Sequence, residues 1–206
     1  MVIRNYPSIS NTQDKKYDFE KFSKNKRSLI EFGKRGMNFE LAINQSNAYY
    51  LTHGFCVVHK KPTPIQIVKV DYPKRSKAKI SEAYFKQAST TDYNGVYKGR
   101  YLDFEAKETS QKTSFPFSNF HQHQLKHMET VLEQKGLAFV LLFFSSLKRV
   151  FYYPAEKLIE QYRTSKRKSL KLSNIEQEGI ELMIKIAPQI PYLEAVDTIL
   201  KGGDSY

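Results

Sequence analysis

The sequence predicts an α/β protein, because strand-like apolar runs alternate with segments that begin and end on helix-capping residues. Residues 138–144 form the most apolar run and predict a fully buried strand, with residues 150–153 as its antiparallel neighbour. Asn38 is a suitable N-cap for a helix over residues 39–51, which would close near Gly54. At 206 residues, the chain is long enough for one domain with a substantial core.

Helical spacing also predicts further helices over residues 119–135, 154–163, 175–184 and 192–200. Gly136 stops the first of these, and Pro154 suits the first turn of the second, where its missing N–H carries no penalty. The short apolar run 55–58 predicts a buried strand. The alternation of both element types is what favours the α/β class.

The charge balance indicates the kind of partner. The chain carries a formal net charge of +12 with a pI near 9.5, which favours a polyanion, either nucleic acid or an acidic membrane surface. The longest apolar run, residues 137–144, is far shorter than the ~20 residues of a spanning helix, so we expect no membrane span. No apolar leader precedes the basic N-terminal segment, so we expect no signal peptide. Cys56 is the single cysteine and predicts a buried thiol in the reducing cytoplasm.

The N-terminal segment differs from the rest of the chain. Residues 1–33 are polar and basic with little periodicity, and predict a mobile arm ahead of a domain over residues 34–206. Arg35, at the edge of this segment, is a candidate contact to a polyanion. A solvated tail without a binding role is the alternative.

Residues 60–86 predict a basic β-hairpin. Alternating residues on both sides of the turn 72–76 predict two strands, and prolines at 62, 64 and 73 exclude them from a sheet centre. Against Asp71 and Glu82 alone, the segment carries Lys60, Lys61, Lys69, Lys74, Arg75, Lys77, Lys79 and Lys86. We expect the hairpin to project and contact phosphates, with a solvated edge hairpin as the alternative.

A second basic cluster follows the predicted helix 154–163. It comprises Arg163, Lys166, Arg167, Lys168 and Lys171. The sequence gives this cluster no specific role.

The candidate chemistry lies between Asp92 and Lys107. Alternation over residues 101–107 places Glu105 and Lys107 on one face of a strand, about 7 Å apart, with apolar residues on the reverse face. If Asp92 folds back beside them, two carboxylates can bind Mg²⁺ next to a lysine that stabilises a phosphorane transition state. This arrangement predicts a metal-dependent nuclease, and a salt-bridged surface strand is the alternative.

Four other residues are candidates for the site. Gln124 shares a helical face with the core positions 128 and 131, so it is either a satisfied core amide or a group facing a metal-bound water. His123 and His127 are four residues apart, but no cysteine accompanies them for a zinc site, so we expect them to flank the active site or a DNA phosphate. Glu40 lies in a first helical turn, where the helix dipole alone accounts for it; a role beside the metal is the sharper hypothesis.

Several runs resemble the RecU family of Holliday-junction resolvases from Gram-positive bacteria. They are residues 35–37, 59–64, 72–76, 89–93, 103–109 and 121–124, with the sequences RGM, HKKPTP, YPKRS, STTDY, DFEAKET and HQHQ. The resemblance is dense over residues 35–128 and looser over the C-terminal third.

That resemblance implies a restriction-endonuclease-like fold, a mixed sheet flanked by helices, with residues 62–84 as a protruding stalk. It implies a homodimer that nicks opposed strands of a four-way DNA junction with Mg²⁺, for which Mn²⁺ can substitute, and a link to the recombinase RecA. It places such a protein in the cytoplasm, at the nucleoid. The implied metal-site residues are Thr90, Asp92, Glu105 and Gln124. Lys107 would stabilise the transition state, Glu40 would support the site, and Lys60 and Arg75 would contact DNA, with Lys74 and Lys77 beside them.

Two competing functions share the same charge pattern. A non-catalytic mediator of recombination would bind junctions without needing the carboxylates. A restriction-type endonuclease would share the fold but cut linear duplex DNA. Cleavage of a junction, compared with cleavage of a duplex, separates all three hypotheses.

Overall fold

The computed structural model describes residues 37–72, 77–86 and 90–203. Six strands form one mixed sheet, in which the order of the strands across the sheet is their order along the chain. These strands are β1 (Val57–Lys60), β4 (Tyr93–Tyr97), β5 (Arg100–Thr109), β7 (Leu137–Phe144), β8 (Arg149–Pro154) and β10 (Ile180–Leu182). Two separate ribbons pair β2 (Ile65–Asp71) with β3 (Lys79–Phe85) and β6 (Ser114–Pro116) with β9 (Ser169–Lys171).

The sheet is mixed because one central pair is parallel. Strands β5 and β7 run parallel, and each other neighbouring pair is antiparallel. Every residue of β7 after Leu137 is buried, which confirms the strand predicted over residues 138–144. Strand β8 is its antiparallel neighbour, as predicted. A strand buried on both faces needs apolar residues throughout, which explains the unbroken run.

Helices cover both faces of the sheet. They are α1 (Phe39–Thr52), α2 (Gln122–Glu133), α3 (Ala155–Thr164), α4 (Leu172–Glu178) and α5 (Tyr192–Gly203). Buried side chains of α2, α3 and α4 form one core cluster with Val140 and Leu142 of β7. On the opposite face, Phe39 of α1 lies 5.1 Å from Phe143, and Tyr192 of α5 lies 5.2 Å from Phe104, ring centre to ring centre. This architecture confirms the α/β class and is consistent with the restriction-endonuclease-like fold.

The predicted helix over residues 175–184 is wrong in its second half. Helix α4 ends at Glu178, and residues 180–182 form β10, which pairs with β8 at the sheet edge. Gly179 makes the break possible, because a Cβ there would lie 2.7 Å from the Ile175 carbonyl oxygen and 2.8 Å from that of Tyr152. Residues 180–182 form a strand because they pair with β8, some thirty residues earlier in the chain. The local periodicity of the segment carries no information about that pairing.

Three other boundaries shift, for local reasons. The buried strand predicted at residues 55–58 begins instead at Val57, and Phe55 and Val57 are about half exposed because β1 is an edge strand. The helix predicted over residues 119–135 is divided into a 3-10 turn, Phe117–Asn119, and α2. Pro154 precedes the first residue of α3 rather than occupying it.

The predicted hairpin is present as the β2–β3 ribbon. All its residues except Val70 are exposed, and it pairs with no strand of the six-stranded sheet. Lys74 and Arg75, at the turn, lie outside the described residues, as do Arg35 and the predicted arm 1–33. Its projection as a stalk therefore remains a prediction.

Two expectations about environment can be compared with the structure. Cys56 is buried, as predicted, and burial raises the pKa of its thiol to about 11. Across the described ranges, none of the helices combines the length and the apolar character that crossing a membrane requires.

Gly95 is required where β4 passes β1, and its replacement gives a test of the fold. A Cβ at this position would lie 2.0 Å from the Val57 carbonyl oxygen and 2.6 Å from the Val58 Cα. We expect Gly95→Ala to lower the free energy of unfolding by roughly 3 kcal/mol, since backbone atoms must move apart. Urea denaturation measures this loss. The control is Gly202→Ala in α5, where a Cβ meets no atom within 4 Å; equal stability of the two variants would contradict the strand packing.

Candidate active site

Strand β5 carries buried carboxylates on the face that α2 covers. Glu105 is 1% exposed and Asp103 is fully buried, while Leu102 and Phe104 are buried on the reverse face. The predicted alternation is therefore present, but both faces of the strand are in the interior. The parallel register sets Glu105 beside Val140 and Lys107 beside Leu142, so these polar groups share a sheet face with the core cluster.

The structure brings Asp92, Glu105 and Lys107 together. The Lys107 ammonium lies 2.8 Å from Glu105 Oε1, and the backbone N–H of Asp92 donates to Glu105 Oε2 at 3.1 Å. The pKa of Glu105 is raised to about 7, first by burial and then by the neighbouring Asp92 carboxyl, against the opposing effect of Lys107, which lowers it. Two carboxyl groups so placed in an apolar environment repel each other, and a cation between them relieves that repulsion.

The donor set fits a hard divalent cation. Glu105 Oε1 is buried, and the Lys107 ammonium lies 2.8 Å from it. Asp92 is half-buried, so its carboxylate remains open to solvent on one side. Mg²⁺ is commonly held by one or two carboxylates, with waters and a substrate phosphate completing its shell. The described residues contain no group of three or more histidine, cysteine, aspartate and glutamate side chains in metal-binding proximity, so two carboxylates would hold the ion here.

Thr90 and Gln124, implied as further ligands, make other contacts in this structure. Thr90 is half-buried, and its hydroxyl donates to the Thr91 carbonyl at 3.4 Å. Gln124 is buried on the core side of α2, as predicted, and its Oε1 accepts the backbone N–H of His121 at 3.2 Å. That bond caps the first turn of α2. An amide oxygen has a second lone pair, so Gln124 can still accept from a water.

Asp103 is a site residue that was not predicted from the sequence. Its carboxylate accepts from Lys61 Nζ at 2.9 Å and from Tyr101 Oη at 2.9 Å, and Thr91 Oγ1 donates to it as well. His127 Nε2 of α2 lies 3.2 Å from it. The available signal was its position on the same alternating face as Glu105, two residues earlier in the strand.

The Asp103 network ties down the segment that carries Asp92. Lys61 Nζ also donates to Thr91 Oγ1 at 3.0 Å, and the backbone N–H of Lys61 donates to the Asp92 carbonyl at 2.7 Å. Asp103 therefore contacts Thr91 directly and is connected to Asp92 only through Lys61. A buried carboxylate with several donors is a rigid anchor, which suits the positioning of a neighbouring ligand.

Glu40 lies near the site but at its outer edge. Its carboxylate pairs with Lys60 Nζ at 2.7 Å and is 59% exposed. The pKa of Tyr93 is raised, first by burial and then by the charges of Glu40, Asp92 and Glu105. Lys60, predicted to contact DNA, thus has a protein partner, whereas Lys77 is exposed beside the hairpin.

Comparison with known proteins shows extensive similarity. Residues 34–198 match the family model described as Recombination protein U. A protein of Streptococcus uberis named Holliday junction resolvase RecU is 59% identical over 182 residues, covering 88% of this chain and 90% of that protein. Proteins of the same name from Streptococcus sanguinis and Streptococcus equi subsp. zooepidemicus are 60% and 58% identical, covering 85% and 87% of this chain and 88% and 89% of their own lengths.

Proposed function

The chain belongs to the Recombination protein U family, and from this premise we propose that it is an endodeoxyribonuclease that resolves four-way DNA junctions during recombination and repair. The observation that carries the proposal is the cluster of Asp92, Glu105 and Lys107 on a rigid central strand. This cluster would form a phosphodiesterase site, and it lies in the part of the chain that is similar to the streptococcal proteins named as resolvases.

The proposed chemistry assigns a role to each residue. Asp92 and Glu105 hold a divalent ion, Mg²⁺ or its substitute Mn²⁺, with Thr90 and Gln124 beside it. When bound, the ion supplies a hydroxide nucleophile and neutralises charge on the phosphate. Lys107 is one-fifth exposed, so its ammonium can face both Glu105 and a bound phosphate. There it stabilises the charge that develops on the phosphoryl oxygens.

The remaining assignments follow from the same proposal. Symmetrical nicks in two opposed strands require two sites, so the protein acts as a homodimer. Residues 34–206 form the nuclease domain, and the basic segment 1–33 that precedes it in the sequence acts as an arm. Glu40 supports the site through its pair with Lys60. Arg35, Lys60, Lys74, Arg75 and Lys77 contact junction DNA. The protein works in the cytoplasm at the nucleoid, and RecA is a proposed partner.

A substrate comparison tests this function. The full chain is incubated with a labelled four-way junction and with a linear duplex of the same sequence, in Mg²⁺, Mn²⁺ or EDTA. We expect paired nicks in opposed strands of the junction, dependent on the divalent ion, and little cutting of the duplex. Binding without cutting in either ion would favour a non-catalytic mediator, and equal cutting of the duplex would favour a restriction-type endonuclease.

The β2–β3 ribbon is the proposed source of junction selectivity. Replacing residues 67–83 by Asn-Gly keeps the pairs Ile65–Phe85 and Gln66–Tyr84 at its base and removes the rest. We expect the ratio of junction affinity to duplex affinity to fall by at least about tenfold, since a protruding element can fill the centre of a junction but not of a duplex. Fluorescence anisotropy in EDTA measures both affinities.

A charge control separates shape from electrostatics. Lys69→Ala with Lys79→Ala keeps the ribbon but removes two of its cations, and should weaken binding to both substrates alike. Unchanged selectivity in the shortened protein would contradict the role of the ribbon.

A further inference from the structure

A basic groove lies on the β6–β9 ribbon, apart from Asp92 and Glu105. Its volume is about 480 Å³, and its polar lining includes Lys112, Ser114, Arg167, Ser169, Lys171 and Ser173. The strand register explains the lining. Phe115 pairs with Leu170 and both are buried in the core, so the alternate residues of the ribbon face outward.

The cations of this groove are available to a ligand. Lys112, Arg167 and Lys171 form no ion pair with any described residue, and all three are exposed. The one acid in the lining, Glu176, is held by Arg149 Nη1 at 2.6 Å. Arg163 of the same basic cluster differs, because Glu129 binds it through both oxygens, at 2.7 and 3.0 Å. The groove therefore combines three free positive charges with serine hydroxyls, the donors that phosphate oxygens accept from.

The groove and the carboxylate site lie on the same side of the sheet. Phe115 and Leu170 of the ribbon belong to the core cluster that contains Val140 and Leu142, the register partners of Glu105 and Lys107. The chain passes from Lys107 to Lys112 in five residues, which limits the distance between their Cα atoms to about 18 Å. A DNA strand has one phosphate per 3.4 Å of helix axis, so this distance spans about five nucleotides.

We propose that this groove binds the phosphate backbone of a junction arm, within about five nucleotides of the phosphate that is cut. The proposal rests on the proposed nuclease function. The groove fixes the path of the arm that leaves the carboxylate site. Because its contacts are to the backbone, the groove adds affinity without sequence preference.

Salt dependence of junction binding is the first test. The variant Lys112→Ala/Arg167→Ala/Lys171→Ala is compared with the full wild-type chain by anisotropy in EDTA, between 50 and 200 mM NaCl. Three lost phosphate contacts should reduce the slope of log K against log salt by about 2.7. Over that fourfold change in salt, wild-type affinity should fall roughly 40-fold more than that of the variant. The control, Lys157→Ala/Lys185→Ala/Lys201→Ala, removes the same charge from other surfaces and should keep the wild-type slope.

The second test locates the contact on the DNA. Nicks made by the wild type are mapped, and junctions are then made with uncharged methylphosphonate linkages three to six nucleotides from the cut. Wild type and control should bind these junctions more weakly than unmodified junctions. The groove variant should bind modified and unmodified junctions equally well. Circular dichroism and thermal unfolding show that each variant is folded, and Arg167→Ala alone should reduce the slope by about 0.9.

The outcomes separate this proposal from the proposed function. The proposed role of the groove is overturned if the groove variant keeps the wild-type slope of log K against log salt. It is also overturned if methylphosphonate linkages weaken binding equally in wild type and variant. In that case wild-type nicking of the junction still supports the nuclease. Absence of any nicking by the wild type overturns the nuclease, whereas the slopes measured in EDTA still report whether the groove contacts DNA.

Discussion

Asp92→Asn is expected to reduce Mg²⁺-dependent nicking of a four-way junction by about a thousandfold or more, while junction affinity stays within about threefold of wild type. The amide keeps the size of the side chain but removes a charged ligand, and the charge stabilisation that a metal gives to a transition state amounts to several kcal/mol. At 1.36 kcal/mol for each factor of ten, a loss of about 4 kcal/mol of this stabilisation corresponds to the thousandfold reduction. Single-turnover assays measure the cleavage rate, and anisotropy in EDTA measures the affinity.

Glu105→Gln should have the same effect, and a neighbouring residue supplies the control. Glu108 lies on the same strand but is exposed, and it is three positions after Glu105, an odd offset, so it faces the other way. Glu108→Gln should therefore cut at close to the wild-type rate. Full activity of Asp92→Asn would contradict the proposed role of the two carboxylates in cleavage.

Asp103→Asn is expected to weaken divalent-metal affinity and nicking by about 10- to 100-fold, although Asp103 itself holds no metal in the proposed site. The substitution leaves Lys61 beside a neutral amide and loosens the contacts to Thr91. The backbone bond from Lys61 to the Asp92 carbonyl remains, but Thr91, directly before Asp92, is held less firmly, so the ligand segment is positioned less precisely. Partners that orient metal ligands commonly contribute effects of this size. Titration calorimetry with Mn²⁺ measures the affinity without relying on cleavage.

The control for Asp103 is a carboxylate with similar partners elsewhere. Asp197 of α5 accepts from Tyr97 Oη at 2.9 Å and from Lys98 Nζ at 2.6 Å, and no predicted site residue is among these partners. Asp197→Asn should lower the unfolding temperature without changing Mn²⁺ affinity. If Asp103→Asn behaves in the same way, the Asp103 network stabilises the fold and does not position the site.

Local patterns predicted the elements whose neighbours in sequence determine them. The Asn38 cap accepts the Leu41 N–H at 3.0 Å and begins α1 where expected, and the apolar run of β7 needs only burial on both sides. The local pattern of residues 180–182 predicted a helix, which is wrong because this segment forms a strand by pairing with β8. Asp103 was missed for the same reason: Lys61 and Thr91 are 42 and 12 residues away from it in sequence.

The site was predictable in part, and the reason is its geometry on one strand. Glu105 and Lys107 are two residues apart, so strand alternation alone places them together. The return of Asp92 depends on the pairing of β4 with β5, which sets Tyr93 opposite Phe104. The ion pair between Glu40 and Lys60 joins a helix to an edge strand. The local pattern around either residue does not show that the two side chains meet.

The separation of the β2–β3 ribbon from the main sheet has a consequence for hydrogen exchange. Its strands pair only with each other, and nearly all its side chains face water. A two-stranded hairpin without a covered apolar face is marginally stable by itself. Its amide protons should therefore exchange with deuterium through local opening, orders of magnitude faster than those of β7, whose exposure requires unfolding of the whole core. Bound DNA would then slow hydrogen exchange most in the ribbon. Ordering the ribbon on DNA would reduce the net free energy of binding.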